Sequence, residues 1–271
     1  MDEETYTMII GAMKAGTTTL FEHLRNHPEI CASTKKETEY FLDKDDIVHN
    51  LDDYNGLFQY DKSKHRVKME ASTGYAKYPK HKDVSKRIFD LGLKPKFIFI
   101  VRHPIDRINS EINFWRNYPQ WSHPKDNLDQ MILRSSYYLQ LSQYEGFFSK
   151  EDILILDFDD LKKRPQELIN ASCQFLGIDS YEIKKVDKVS NKTEMKSDLE
   201  LQIIKRYSTL LKWFPVSFKE KVKQMVRGVS KTSNWELTSS EVKMVKQQLE
   251  GDMHLFQKTY NYDTSKWGFS K

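Results

Sequence analysis

The chain carries only two cysteines in 271 residues, Cys31 and Cys173, far apart and outside any zinc-type spacing. Their scarcity excludes a disulfide-stapled fold and a cysteine metal site, so both read as reduced thiols that serve packing. Long hydrophobic runs are missing too, since none approaches the roughly 20 residues that a membrane-crossing helix needs. The first apolar run begins at Met8, so neither a signal peptide nor a stem or anchor is expected, and the expected location is cytoplasmic. Nor does one sign of charge dominate. A balance of 43 basic and 39 acidic residues leaves +4, which favours anionic ligands but not a dedicated nucleic-acid binder. There is no internal repeat and no low-complexity segment. With 38% hydrophobic residues the chain can bury a sizeable core, and a single domain over 1–271 is the simplest organisation.

What is present is concentrated near the amino terminus. Met8-Ile9-Ile10-Gly11-Ala12-Met13-Lys14-Ala15-Gly16-Thr17-Thr18-Thr19-Leu20 reads as a buried strand, a glycine-bearing loop and a helix start. Glycine lets the backbone approach a ligand closely, and the first N–H groups of a helix carry partial positive charge suited to phosphate or sulfate. The loop departs from a nucleotide P-loop in one respect: Thr17 follows the second glycine, and the lysine lies inside the loop as Lys14.

A second segment, Lys96 to Val101, is an apolar, β-branched and aromatic run expected to be buried on both faces. It feeds Arg102-His103-Pro104 and a helix over 104–117. Ligands of open parallel sheets collect at the carboxyl ends of strands, where Lys14 and Arg102 both fall. Two such anion sites suggest a ligand with two separated anionic groups. Alternating elements continue along the chain: short strands at Ile30 to Ala32, Val67 to Glu70 and Ile153 to Leu156, irregular structure with a short helix over 43–65, and helices over 81–91, 126–149 and from Pro165 to about Gly177. The fold class expected is α/β, a central parallel sheet flanked by helices with a P-loop-like anion loop. From 180 to 235 the chain becomes lysine-rich, with amphipathic helices expected at Leu199 to Trp213 and Phe218 to Val226; composition alone reads its charges as a solvated surface.

Together the stretches IIGAMKAGTTTLFEHLRNHPEI and FIFIVRHPIDRINSEINF resemble the sulfotransferases that use 3'-phosphoadenosine 5'-phosphosulfate (PAPS), in particular bacterial members and the heparan sulfate branch. The resemblance runs from Met8 to about Gly177, with a weaker match from Leu237 to Trp267. It implies that Lys14, Ala15, Gly16, Thr17, Thr18 and Thr19 hold the 5'-phosphosulfate, and that Arg102 and Ser110, eight residues on, hold the 3'-phosphate. It further implies a basic loop over the adenosine, Ser190 to Ser197, with Lys192 or Lys196 reaching the 3'-phosphate.

Sulfuryl transfer requires a base for the acceptor's proton and positive charge where the leaving phosphate gains charge. Lys14 and the neighbouring N–H groups answer the second need without a metal. For the first, Glu37 in Lys36-Glu37-x-x-Tyr40-Phe41 resembles the catalytic glutamate of the heparan sulfate branch, although such a carboxylate also reads as a surface partner of Lys35 or Lys36. Glu39, Glu70, His81 and His103 are the alternatives. Ala71 stands where that branch usually has a lysine, which weighs against a polysaccharide. A smaller acceptor, with Tyr40, Phe41, Tyr75, Tyr78, Trp115, Tyr118 and Trp121 as possible pocket aromatics, fits better. Two other readings stay open: a kinase, with Asp157 and Asp159 as its magnesium candidates, and a non-catalytic binder of anionic nucleotides or glycans.

Overall fold

The computed structural model describes residues 5–43, 48–116, 127–183 and 234–269. Five parallel strands form one sheet: β1 (Thr5–Gly11), β2 (Ile30–Ala32), β3 (Val67–Ala71), β4 (Lys96–Val101) and β5 (Ile153–Asp157), in the order β2-β3-β1-β4-β5. β1 is central and pairs β3 from Thr5 opposite Val67, and β4 from Thr7 opposite Lys96. Its register with β4 shifts between Ile9 and Gly11, so the strand breaks from the ladder where the anion loop begins.

Apolar β1 and β4 are covered on both faces, as a parallel sheet requires. Met8, Ile9 and Ile10, and Phe97 through Val101, are fully buried. The covering helices are α1 (Thr17–Leu24), α2 (Leu51–Asn55), α3 (Val84–Asp90), α4 (Pro104–Arg116), α5 (Leu128–Ser135), α6 (Tyr137–Glu145), α7 (Phe158–Lys163), α8 (Pro165–Leu176) and α9 (Ser239–Tyr260). Pro165 opens α8 and Gly177 closes it with φ +70, the asymmetry expected of helix ends. Chain order leaves β1 toward β3 and β2 on one side and takes up β4 and β5 on the other. The switch point therefore lies between the carboxyl ends of β1 and β4.

Helix α9 is the largest element without a counterpart in the sequence expectations. It buries Val245, Leu249, Met253 and Phe256, and its Asp252 carboxylate accepts the N–H groups of Tyr138 (3.1 Å) and Leu139 (2.8 Å) at the start of α6. Cys31 and Cys173 are free and buried. No helix of the described residues is long and apolar enough to cross a membrane. Lys192, Lys196, Tyr118, Trp121 and the helices expected at Leu199 to Trp213 and Phe218 to Val226 lie outside the described residues.

Candidate active site

The anion loop is shaped by its two glycines. A Cβ on Gly11 would stand 2.6 Å from the Phe99 ring of β4, and one on Gly16, at φ +94, would stand 2.8 Å from Phe158. Gly16 is the N-cap of α1 and offers no side chain to the first-turn N–H groups of Thr17, Thr18 and Thr19. Those donors have no partner inside the helix and point out of its end. Ala15 is buried and its N–H closes the loop on the Ala12 carbonyl at 3.1 Å. Lys14 is half-buried at φ 68, with its ammonium 4.3 Å from the centre of the Phe114 ring.

Arg102 leaves β4 beside this loop and is joined to it. Its Nη1 donates to the Lys14 carbonyl at 3.1 Å, and its guanidinium lies 4.8 Å from the centre of the Phe158 ring. The Tyr137 hydroxyl, whose pKa burial pushes up to about 12, stays protonated and donates to the Arg102 carbonyl at 2.5 Å while accepting the Arg102 N–H at 3.3 Å. Burial holds the Lys14 ammonium below its ordinary pKa, the nearby Arg102 charge adds to that, and Glu111 opposes it. Burial likewise lowers Arg102, against the pull of Asp106. Two half-buried cations that disfavour one another's charge are a site that an anion stabilises. Ser110 is half-buried on α4, and among the described residues no hydrogen bond joins it to Arg102 or to the loop.

Beneath the loop lies a network that the sequence reading did not single out. Arg107 and Glu111, both with side chains at 0% exposure, pair at 2.7 Å one turn apart on α4. Arg107 also donates to Ser135 Oγ (2.7 Å), the Met131 carbonyl (2.7 Å) and the Met13 carbonyl of the anion loop (3.3 Å). Glu111 accepts from Arg134 and from the Trp115 indole at 3.2 Å. The Arg107–Glu111 spacing of four residues was the only signal available, and it usually marks no more than a surface pair.

Glu37 stands after β2 at φ 56, with its N–H on the Ala71 carbonyl at 2.8 Å. Its Oε2 accepts from the Thr73 N–H (2.8 Å) and hydroxyl (3.2 Å), and its Oε1 pairs with Lys36. It is thus both a partner of Lys36 and a carboxylate held by the turn Thr73–Ala76 at the end of β3. Glu70 is different. It is fully buried under that loop and takes hydroxyl donors from Thr38, Tyr54 (3.0 Å), Ser72 (3.0 Å) and Tyr75 (3.1 Å). Burial raises its pKa, and these hydroxyls oppose the rise. With Thr38 tied to it, Glu70 braces the segment that carries Glu37.

The remaining candidates have structural partners. Glu39, at φ 51, sits with its N–H on Ser72 Oγ. Burial lowers the pKa of His81 and of His103, and His103 Nδ1 accepts the Ile105 N–H at 3.2 Å. Phe41 and Tyr75 belong to the core. Asp157 caps α7 by accepting the Asp159 N–H at 2.7 Å, and its other oxygen meets the Tyr262 hydroxyl (2.6 Å) and Lys266. Asp159 pairs with Lys162 at 2.9 Å.

The sulfotransferase domain family matches residues 4–257. A membrane-associated sulfotransferase of Dictyostelium discoideum, kil1, is 31% identical over 109 residues, which is 40% of this chain and 22% of that protein. The match therefore spans about a fifth of that relative's length. A sulfotransferase from Alicyclobacillus acidocaldarius shares the fold with a TM-score of 0.68 at 18% identity, over 98% of this chain and 99% of that one. The sulfotransferase domain from the curacin biosynthetic pathway aligns at 0.50 and 16% identity, over 92% and 98% of the two chains.

Proposed function

This chain belongs to the sulfotransferase domain family, and from that premise we propose that it moves a sulfuryl group from PAPS to a hydroxyl, or an amine, of a small-molecule or glycan acceptor. The observation that carries the reading is the juxtaposition of Lys14 and Arg102 at the ends of adjacent strands, tied together through the Lys14 carbonyl beside the uncapped start of α1. That arrangement fits a donor with anionic groups at two positions.

PAPS supplies an activated sulfuryl group, whose bond to the 5'-phosphate would break as its bond to the acceptor oxygen or nitrogen forms. Lys14 and the N–H groups of residues 16 to 19 are assigned to the phosphosulfate, the Ala15 N–H being taken by the Ala12 carbonyl, and their charge offsets what develops on the departing phosphate. Arg102 and Ser110 are assigned to the 3'-phosphate, with Lys192 or Lys196 as further candidates. Glu37 is assigned the acceptor's proton, with Oε2 fixed by Thr73. Asp157 and Asp159 are engaged by Tyr262, Lys266 and Lys162, which speaks for the sulfuryl reading over the kinase. The reading includes a cytoplasmic location, supported by two buried thiols left free.

Incubation with sulfur-labelled PAPS and a pooled metabolite or glycan extract tests the proposal. A labelled product of sulfate mass together with released adenosine 3',5'-bisphosphate is expected. Transfer from ATP, with none from PAPS, would overturn it.

A further inference from the structure

The turn that holds Glu37 also presents a lysine. Thr73, at the start of Thr73–Ala76, fixes the Glu37 carboxylate, and Lys77 follows the turn's last residue. The exit is rigid. Gln140 grips the next residue from both sides, accepting the Tyr78 N–H at 2.7 Å and donating to the Tyr78 carbonyl at 2.9 Å, while the Tyr144 hydroxyl donates to the Tyr75 carbonyl at 3.0 Å.

Lys77 is half-buried, and among the described residues its ammonium has neither a hydrogen bond nor an ion pair. The charges it feels are Glu37 and Glu111, which favour its protonation, and Arg134 and Lys80, which disfavour it. Both carboxylates are already committed, Glu37 to Lys36 and Thr73, Glu111 to Arg107, Arg134 and Trp115. Arg134 is itself incompletely satisfied, since its buried Nε lacks a hydrogen-bond partner. Around this spot positive charge exceeds negative. Burial lowers the His81 pKa, and Lys80, Lys77 and Arg134 add to that, against Glu39. A desolvated ammonium with no partner is costly, and a bound oxyanion removes the cost.

Resting on the function proposed above, we infer that Lys77 is a specificity-determining residue of the acceptor site, where its ammonium binds an oxyanion carried by a small acceptor near the group that is sulfated. The acceptor rather than the donor is indicated by position. Lys77 follows the turn whose Thr73 holds the carboxylate of Glu37, the assigned base.

The test uses the full chain and calorimetry. Adenosine 3',5'-bisphosphate is titrated first; if it fails to bind, the function proposed above fails. The bisphosphate-loaded protein is then titrated with phenylacetate, with phenyl phosphate, and with phenylacetamide as the uncharged counterpart of phenylacetate. At least one anionic probe is expected to bind about ten-fold or more tightly than the amide, the scale of one charge-assisted hydrogen bond. Lys77→Gln should abolish that preference with bisphosphate affinity within about two-fold of wild type, and Lys77→Arg should retain it. The inference is overturned if wild type binds neither anion better than the amide, if Lys77→Gln keeps the preference, or if the substitution weakens the bisphosphate as much as the probes.

Discussion

At the scale of single residues, roles separate according to what holds each side chain. Lys14 is half-buried beside Arg102, so its charge acts in a medium that screens poorly, and in the proposed reaction it would count most as the leaving phosphate becomes more anionic. Lys14→Ala should lower kcat by about 10²-fold or more while weakening bisphosphate binding far less; stopped-time assays beside calorimetry measure the two, and an unchanged kcat would leave Lys14 a ground-state role only. Glu37 and Glu70 are expected to part company in the same way. Glu37→Gln should keep its melting temperature and lose about 10²-fold in single-turnover sulfation. Glu70→Gln puts an amide nitrogen among four hydroxyls that now donate to a carboxylate, and should cost about 1–3 kcal/mol of stability in urea unfolding. Near-normal transfer by Glu37→Gln with collapse in Glu70→Gln would move the base to Glu70. Lys14 and Arg102 were legible in the sequence because each follows an apolar run at a turn, a local signal. Lys77, Thr73 and the Arg107–Glu111–Arg134 network were not, because their meaning comes from partners such as Thr73 for Glu37, 36 positions away.

At the scale of elements, the strands and the helices that flank them follow from local pattern. β1 and β4 are continuous apolar runs, and Pro165 and Gly177 mark the ends of α8. The helix expected over 81–91 forms over Val84–Asp90, and the 126–149 region divides into α5 and α6 at Ser136. Helix α9 shows that a signal can be present without being read: Thr238 and Glu241 form a capping box, and Val245, Leu249, Met253 and Phe256 follow helical spacing. What the sequence could not reveal is its docking, since Asp252 reaches across to N–H groups more than a hundred residues away. Burial raises the Asp252 pKa to about 6 from 3.8, against the opposing backbone N–H bonds. The native state therefore holds this proton more tightly than the unfolded chain. Its contribution is greatest below about pH 4 and is lost as pH rises toward about 6, flattening above that. The stability of wild type minus that of Asp252→Asn, measured by urea unfolding across pH 4 to 8, should fall through this window and then level. A difference that rises with pH would reverse the sign and place the carboxylate in a stabilising ion pair instead.

At the scale of the whole molecule, one parallel sheet brings the two basic turns that follow β1 and β4 together at its switch point, and the order β2-β3-β1-β4-β5 makes these strands neighbours although about 85 residues of chain lie between them. The α/β class and the paired turns were readable because each turn sits at the end of its own apolar strand; their adjacency required the strand order. The measurement that bears most directly on the sulfuryl-transfer reading is calorimetric binding of adenosine 3',5'-bisphosphate and of AMP, each with a chelator present, to wild type and to Arg102→Ala. Metal-independent binding of the bisphosphate, tighter than AMP and weakened by about 1.5–3 kcal/mol in the variant, is the expected result. Equal affinity for bisphosphate and AMP, or a bisphosphate affinity that Arg102→Ala leaves untouched, would contradict the assignment of Arg102 to a 3'-phosphate and with it the reading of this site as one built for PAPS.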